Sequence, residues 1–172
     1  MDTQANAALK RAIGMLEAIL NRQIECHRSM LTLADAKRDS VLSGDLEKLE
    51  QTVAEERKLV ARIEEEEDKR KAVMPMVRSG LGLGESVEKL AEVVSHMPQP
   101  ERDKMMATRN TLKELLEQCQ LKNRHNAELL KASLEHVESF LRTVSEAAAP
   151  DVGYRKDGKR SGGGPTLIDR SA

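Results

Sequence analysis

Apolar residues recur along most of this chain at steps of three and four, the spacing of one face of an α-helix. In a first helix over roughly residues 3–42, Leu9, Ile13, Leu16, Leu20, Ile24, His27, Leu31, Ala34 and Val41 share a face, and Arg38 is its weak point. Ser43-Gly44-Asp45 then breaks the pattern. Gly44 suits the left-handed residue that closes a helix, and Asp45 suits the N-cap of the next. A connection this short makes its two helices an antiparallel hairpin. The second helix, over roughly 45–78, carries Leu46, Leu49, Val53, Val60, Ile63, Val73 and Val77. Pro75 should kink or fray its last turn.

Gly80, Gly82 and Gly84 alternate with leucine in a stretch that reads as a linker, because neither a preceding strand nor a following Lys-Ser or Lys-Thr makes it a phosphate loop. Ser86 suits the cap of a short helix over roughly 86–96. Met97-Pro98-Gln99-Pro100 ends it, and a long fourth helix follows over roughly 101–148. Its pattern is the clearest in the chain: Leu112, Leu116, Cys119, Asn123, Asn126, Leu130, Leu134, Val137, Leu141 and Val144 fall in line. Leu115, Leu129 and Phe140 widen that face at its ends. Two asparagines one turn apart stand where a plain core would carry leucine. A buried asparagine in a seam fixes register at some cost in stability; an amide pair can equally hydrogen-bond an incoming segment. The Leu129–Leu141 face is wider than one neighbouring helix needs, unless it covers the short helix or the Gly44 turn.

Composition narrows the architecture. The chain has 172 residues, 33% of them charged, with one Phe, one Tyr and no Trp, so its apolar faces must be narrow aliphatic stripes. One all-α domain follows over 1–149: an elongated antiparallel helical bundle or coiled coil of three long helices plus one short one. Residues 150–172 hold five glycines, lose the helical period and read as a flexible C-terminal tail. Within it, Tyr154 is the only tyrosine, and Leu167-Ile168 form an apolar pair.

A net charge of −1 gives no bulk field for nucleic acid or an anionic membrane. The chain has no uncharged apolar run of about 20 residues, so no membrane insertion is expected. Nothing resembles a secretory signal, and the expected location is cytoplasmic. Cys26 and Cys119 have no partner spacing and read as reduced, buried thiols. Catalytic and metal chemistry finds no foothold. Ile24, Val93, Lys122 and Ser133 lie three residues before the four histidines, so no Glu-x-x-His is present for a di-iron site. No C-x-x-C, H-E-x-x-H or G-x-S-x-G occurs either. No enzyme, metal or cofactor is expected. The run Glu64–Lys71, EEEEDKRK, reads as a solvated helical stretch with i,i+4 pairs such as Glu65–Lys69, Glu66–Arg70 and Glu67–Lys71.

Three stretches together resemble the FlgN family of flagellar type III export chaperones. The first is LEAILNRQIECHRSMLTLADAKRDSVLSGDLEKLEQTVAEERKLVARIEEEE, with its Ser-Gly-Asp-Leu hinge. The second is LLEQCQLKNRHNAELLKASLEHVESFL, where Asn123 and Asn126 match the family's paired asparagines. The third is the tail, with Gly153-Tyr154, Asp157-Gly158 and Ile168-Asp169-Arg170; the PQP break and the long Gly-rich tail depart from the pattern. The resemblance implies a chaperone for the C-terminal helical segments of hook–filament junction proteins, which it keeps from early assembly and brings to an export gate protein. Partner binding would fall to Asn123, Asn126, Leu129, Leu130, Leu134, Val137 and Leu141, as helix-in-groove recognition. Tyr154 matches the family's gate-docking tyrosine. The competing class is a coiled-coil scaffold or adaptor without an export role.

Overall fold

The computed structural model describes residues 2–148 and the side chains of 4–147. The expected tail, with Tyr154 and Leu167-Ile168, lies outside the described residues. Four helices occur among the described residues: α1 (Asp2–Ser43), α2 (Leu46–Gly80), α3 (Leu90–Ser95) and α4 (Glu101–Ala148). The protein is all-α. It divides into two units, one ending at Leu130 and the other beginning at Lys131.

The turn between α1 and α2 is built as its residues dictate. Gly44 holds φ at +68°, a region closed to most side chains. The Asp45 carboxylate accepts from the backbone N–H of Lys48 at 2.9 Å and caps α2. From this turn the two helices run back antiparallel along a seven-residue repeat. On α1 the buried or half-buried positions are Ala12, Leu16, Ile19, Gln23, Cys26, Met30, Leu33, Lys37 and Ser40. On α2 they are Leu49, Thr52, Glu56, Leu59, Ile63, Glu66, Arg70, Val73 and Val77. Steps of three and four alternate throughout, which is the seam of a coiled coil. Interhelical contacts fix its register: Lys37 Nζ donates to both carboxylate oxygens of Glu56 at 2.7 Å, and Arg22 Nε donates to Glu66 at 2.8 Å.

The Glu64–Lys71 run is therefore only partly solvated. Glu66 is 7% exposed and joins α1 to α2. Its intrahelical pairs are also spaced differently from the expectation. Glu66–Lys69, Glu67–Arg70 and Asp68–Lys71 are i,i+3 pairs. Once Glu66 turns toward Arg22, the residue within reach on its own helix is Lys69. Burial by itself would raise the Glu66 carboxyl's pKa; the hydrogen bonds and charges of Lys69 and Arg22 outweigh it and hold the group below the ordinary range. At Glu67, the Arg70 hydrogen bond leads a net shift in the same direction.

A second buried line on α1, formed by Ile13, Leu20, Ile24, His27 and Ala34, serves α4. Glu17 pairs with Lys104, the His27 carbonyl meets Cys119, and Asp35 pairs with Lys122, so numbers rise together and α4 runs parallel to α1. The three long helices therefore alternate in direction. One apolar cluster gathers Leu16, Leu20, Val73, Val77, Val93, Val94, Met97 and Met105. A smaller one holds Cys26, Met30, Leu59 and Cys119.

Three details depart from the sequence expectation. Helix α2 continues past Pro75 to Gly80, where a Cβ would stand 2.8 Å from Leu9 Cδ1, so α1 and α2 approach closely there. The glycine-leucine stretch is not a bare linker, because Leu81, Leu83 and Val87 pack on the first cluster. Arg78 Nη1 donates to the carbonyls of Glu85 and Val87. A helix begun at Val87 would spend the Val87 carbonyl on its own ladder; α3 instead starts at Leu90 with Lys89 as its N-cap.

Candidate partner-binding face

The sequence-predicted residues on α4 divide by environment. In the first unit, Asn126 is 4% exposed and its Nδ2 donates to the backbone carbonyl of Ala34 on α1 at 2.7 Å. Asn123 is exposed, Leu129 is half-buried and Leu130 borders on exposed. The two asparagines therefore have different surroundings. The α4 residues turned to the bundle are Met105, Leu112, Leu115, Cys119, Lys122, Asn126 and Leu129, at steps of seven, three, four, three, four and three. This is a heptad line. The line expected through Leu116 and Asn123 drifts off it, and both of those side chains face water.

The second unit, over its described residues, is the last stretch of α4. Leu134 and Leu141 are each 59% exposed, and Val137, Phe140 and Val144 are exposed with them. Five large apolar side chains at steps of three, three, one and three form a continuous uncovered stripe on one helix. Lys131, Glu135, Glu138, Arg142 and Glu146 supply its polar surroundings. A stripe of this kind can take the apolar face of another helix.

Polar groups elsewhere are accounted for. Among the described residues, every buried side-chain nitrogen and oxygen has a hydrogen-bond partner. Both cysteines are free and buried. Burial pushes the Cys119 thiol up, against a weaker opposing pull from Lys122. Among the described residues there is no group of three or more His, Cys, Asp and Glu placed to hold a metal, and no helix is long and apolar enough to cross a membrane. Among the described residues, a cleft of about 240 Å³ lies between α1 and α2 and another of about 320 Å³ between α1 and α4. The first is lined chiefly by Arg and Glu side chains and the second by Asn21, Arg28, Thr108 and Thr111, so neither offers an apolar site.

The polar seam is what sequence reasoning missed. Gln23, Lys37, Glu56, Glu66 and Arg70 occupy core positions of the hairpin, and their seven-residue spacing was the available signal.

The model of a family described as FlgN protein matches residues 12–162. No curated protein and no solved structure matches the chain.

Proposed function

The chain belongs to the FlgN family, and from that premise we propose that it binds the C-terminal helical segments of hook–filament junction proteins in the cytoplasm. Family membership makes it a chaperone of flagellar export, a carrier's role and not a catalyst's. On the reading proposed here it shields these segments from early assembly and delivers them to an export gate protein. The observation that carries the reading is the uncovered stripe Leu134, Val137, Phe140, Leu141 and Val144. An amphipathic client helix would bury those side chains at about 25 cal/mol per Å² of apolar area. Part of that gain is offset by ordering the client, and the balance is a reversible complex suited to a carrier.

The test is the double variant Leu134→Asp with Leu141→Asp. Both side chains already face water, so the bundle should melt within a few degrees of the parent. Calorimetric titration with the C-terminal segment of a hook-associated protein should show affinity reduced at least about a hundredfold, since each aspartate would meet an apolar surface. A well-folded variant that binds the segment as the parent does would remove the stripe from the site.

A further inference from the structure

The hold of α4 on the bundle changes character along its length. Met105 is fully buried in the first apolar cluster, Leu112 packs against that cluster and Leu115 is buried. From Cys119 to Leu130 the buried side chains are Cys119 and Asn126 only. The thiol donates weakly to the His27 carbonyl at 3.5 Å, and the Asn126 amide donates to the Ala34 carbonyl. Lys122 pairs with Asp35 where both side chains are well exposed. Leu121 points to water. One segment of a continuous helix is thus held by three polar contacts, the Cys119 thiol packed in the smaller apolar cluster and the half-buried Leu129, and a larger apolar cluster holds the segment before it.

Each of the polar contacts can be released at small cost. Ala34 and His27 lie inside α1, where their carbonyls also face the amide four residues on, so losing an α4 donor leaves neither one orphaned. The departing Asn126 amide needs a new acceptor, which water or another main chain supplies. Asn126, which the family resemblance assigns to partner binding, is buried, so no partner can reach it while this segment stays closed.

Building on the chaperone reading above, we propose that Cys119–Leu130 is a latch that opens on client binding and passes the Asn126 amide from the Ala34 carbonyl to the client's main chain. Opening also bares Leu129 and Cys119, so the client gains the inner side of this segment. The client is of stated chemistry: an extended or helical segment with free carbonyls and an apolar face, as at the C-terminus of a hook-associated protein.

Cys119 reports the latch directly, because its buried thiol reacts only when the segment lifts. In a Cys26→Ala background, maleimide labelling of Cys119 and amide exchange of α4 are followed in the free protein and at saturating client segment. In the free protein, amides of Cys119–Leu130 should exchange at least about tenfold faster than those of Met105–Leu115. Asn126→Ala should raise Cys119 labelling by between about twofold and tenfold, the worth of one hydrogen bond. Saturating client should raise it in the parent as well. A single exchange rate along Met105–Leu130, or Asn126→Ala labelling at the parent rate, overturns the latch. Client that binds with Cys119 still protected overturns the transfer of the amide. Absence of any client binding would instead defeat the chaperone reading, and the free-protein exchange pattern would still decide whether the latch exists.

Discussion

Glu66 shows how a charged residue serves as a core residue. It occupies a seam position between Leu59 and Val73, yet it is held by Arg22 from α1 and Lys69 from its own helix. Both cations are about half exposed, so the pairs are partly screened and Glu66→Gln should cost about 1 kcal/mol at pH 7. The sign of the pH dependence follows from the lowered pKa. Glu66 binds its proton less readily in the folded chain than in the unfolded one, so its contribution is present above the ordinary value of 4.5. It is lost as pH falls through the folded value. Melting temperatures of parent and Glu66→Gln should therefore differ at neutral pH and converge as pH falls well below 4.5. Glu67, held low chiefly by Arg70, keeps some acid sensitivity in the variant. A constant difference across that range would show that the Glu66 ion pairs contribute nothing to acid sensitivity.

At the scale of elements, the helices and the Gly44 turn were legible because their signals are local. Apolar spacing, a left-handed glycine and a capping aspartate are each written in a few neighbouring residues. The seam was less legible, because a face drawn through apolar residues follows 3.6 residues per turn and the packed line repeats every seven. On α4 that difference moves the line from Leu116 and Asn123 to Leu115 and Lys122. On α2 it admits Glu56, Glu66 and Arg70; the partners of the two glutamates, Lys37 and Arg22, become visible only once the hairpin fixes the register. Gly14 offers a test of the local part. It is exposed within α1, and nothing lies within 4 Å of the position its Cβ would take. Gly14→Ala removes backbone freedom from the unfolded chain and adds no clash, so it should stabilise by about 0.5–1 kcal/mol. Chemical denaturation should show a higher midpoint with an unchanged slope. A midpoint at or below that of the parent would mean that α1 needs a glycine there for a reason its local packing does not show.

At the scale of the whole molecule, a carrier needs one surface for its cargo and another for its destination. The uncovered stripe on α4 supplies the first in the proposed function. The second is proposed to be Tyr154, which lies outside the described residues and within the stretch matched to the family. A tyrosine offers a rigid ring for a pocket and a hydroxyl for one hydrogen bond, at low entropic cost. Arg155, Lys156, Lys159 and Arg160 add attraction to an acidic surface that salt would weaken. If the two surfaces are separate, Tyr154→Ala should leave the melting temperature and the affinity for the hook-associated segment at parental values and lower secretion of the junction proteins severalfold. The competing role for Tyr154 is to cover leucines of the bundle, several of which stand exposed, including Leu42 and Leu46 at the Gly44 turn. In that case removing the ring would lower the melting temperature by several degrees, as losing a buried aromatic contact demands. Melting and secretion measured on the same variant separate the two roles. Normal secretion and motility with an unchanged melt would leave Tyr154 with neither, and the destination surface would have to be sought on the bundle itself.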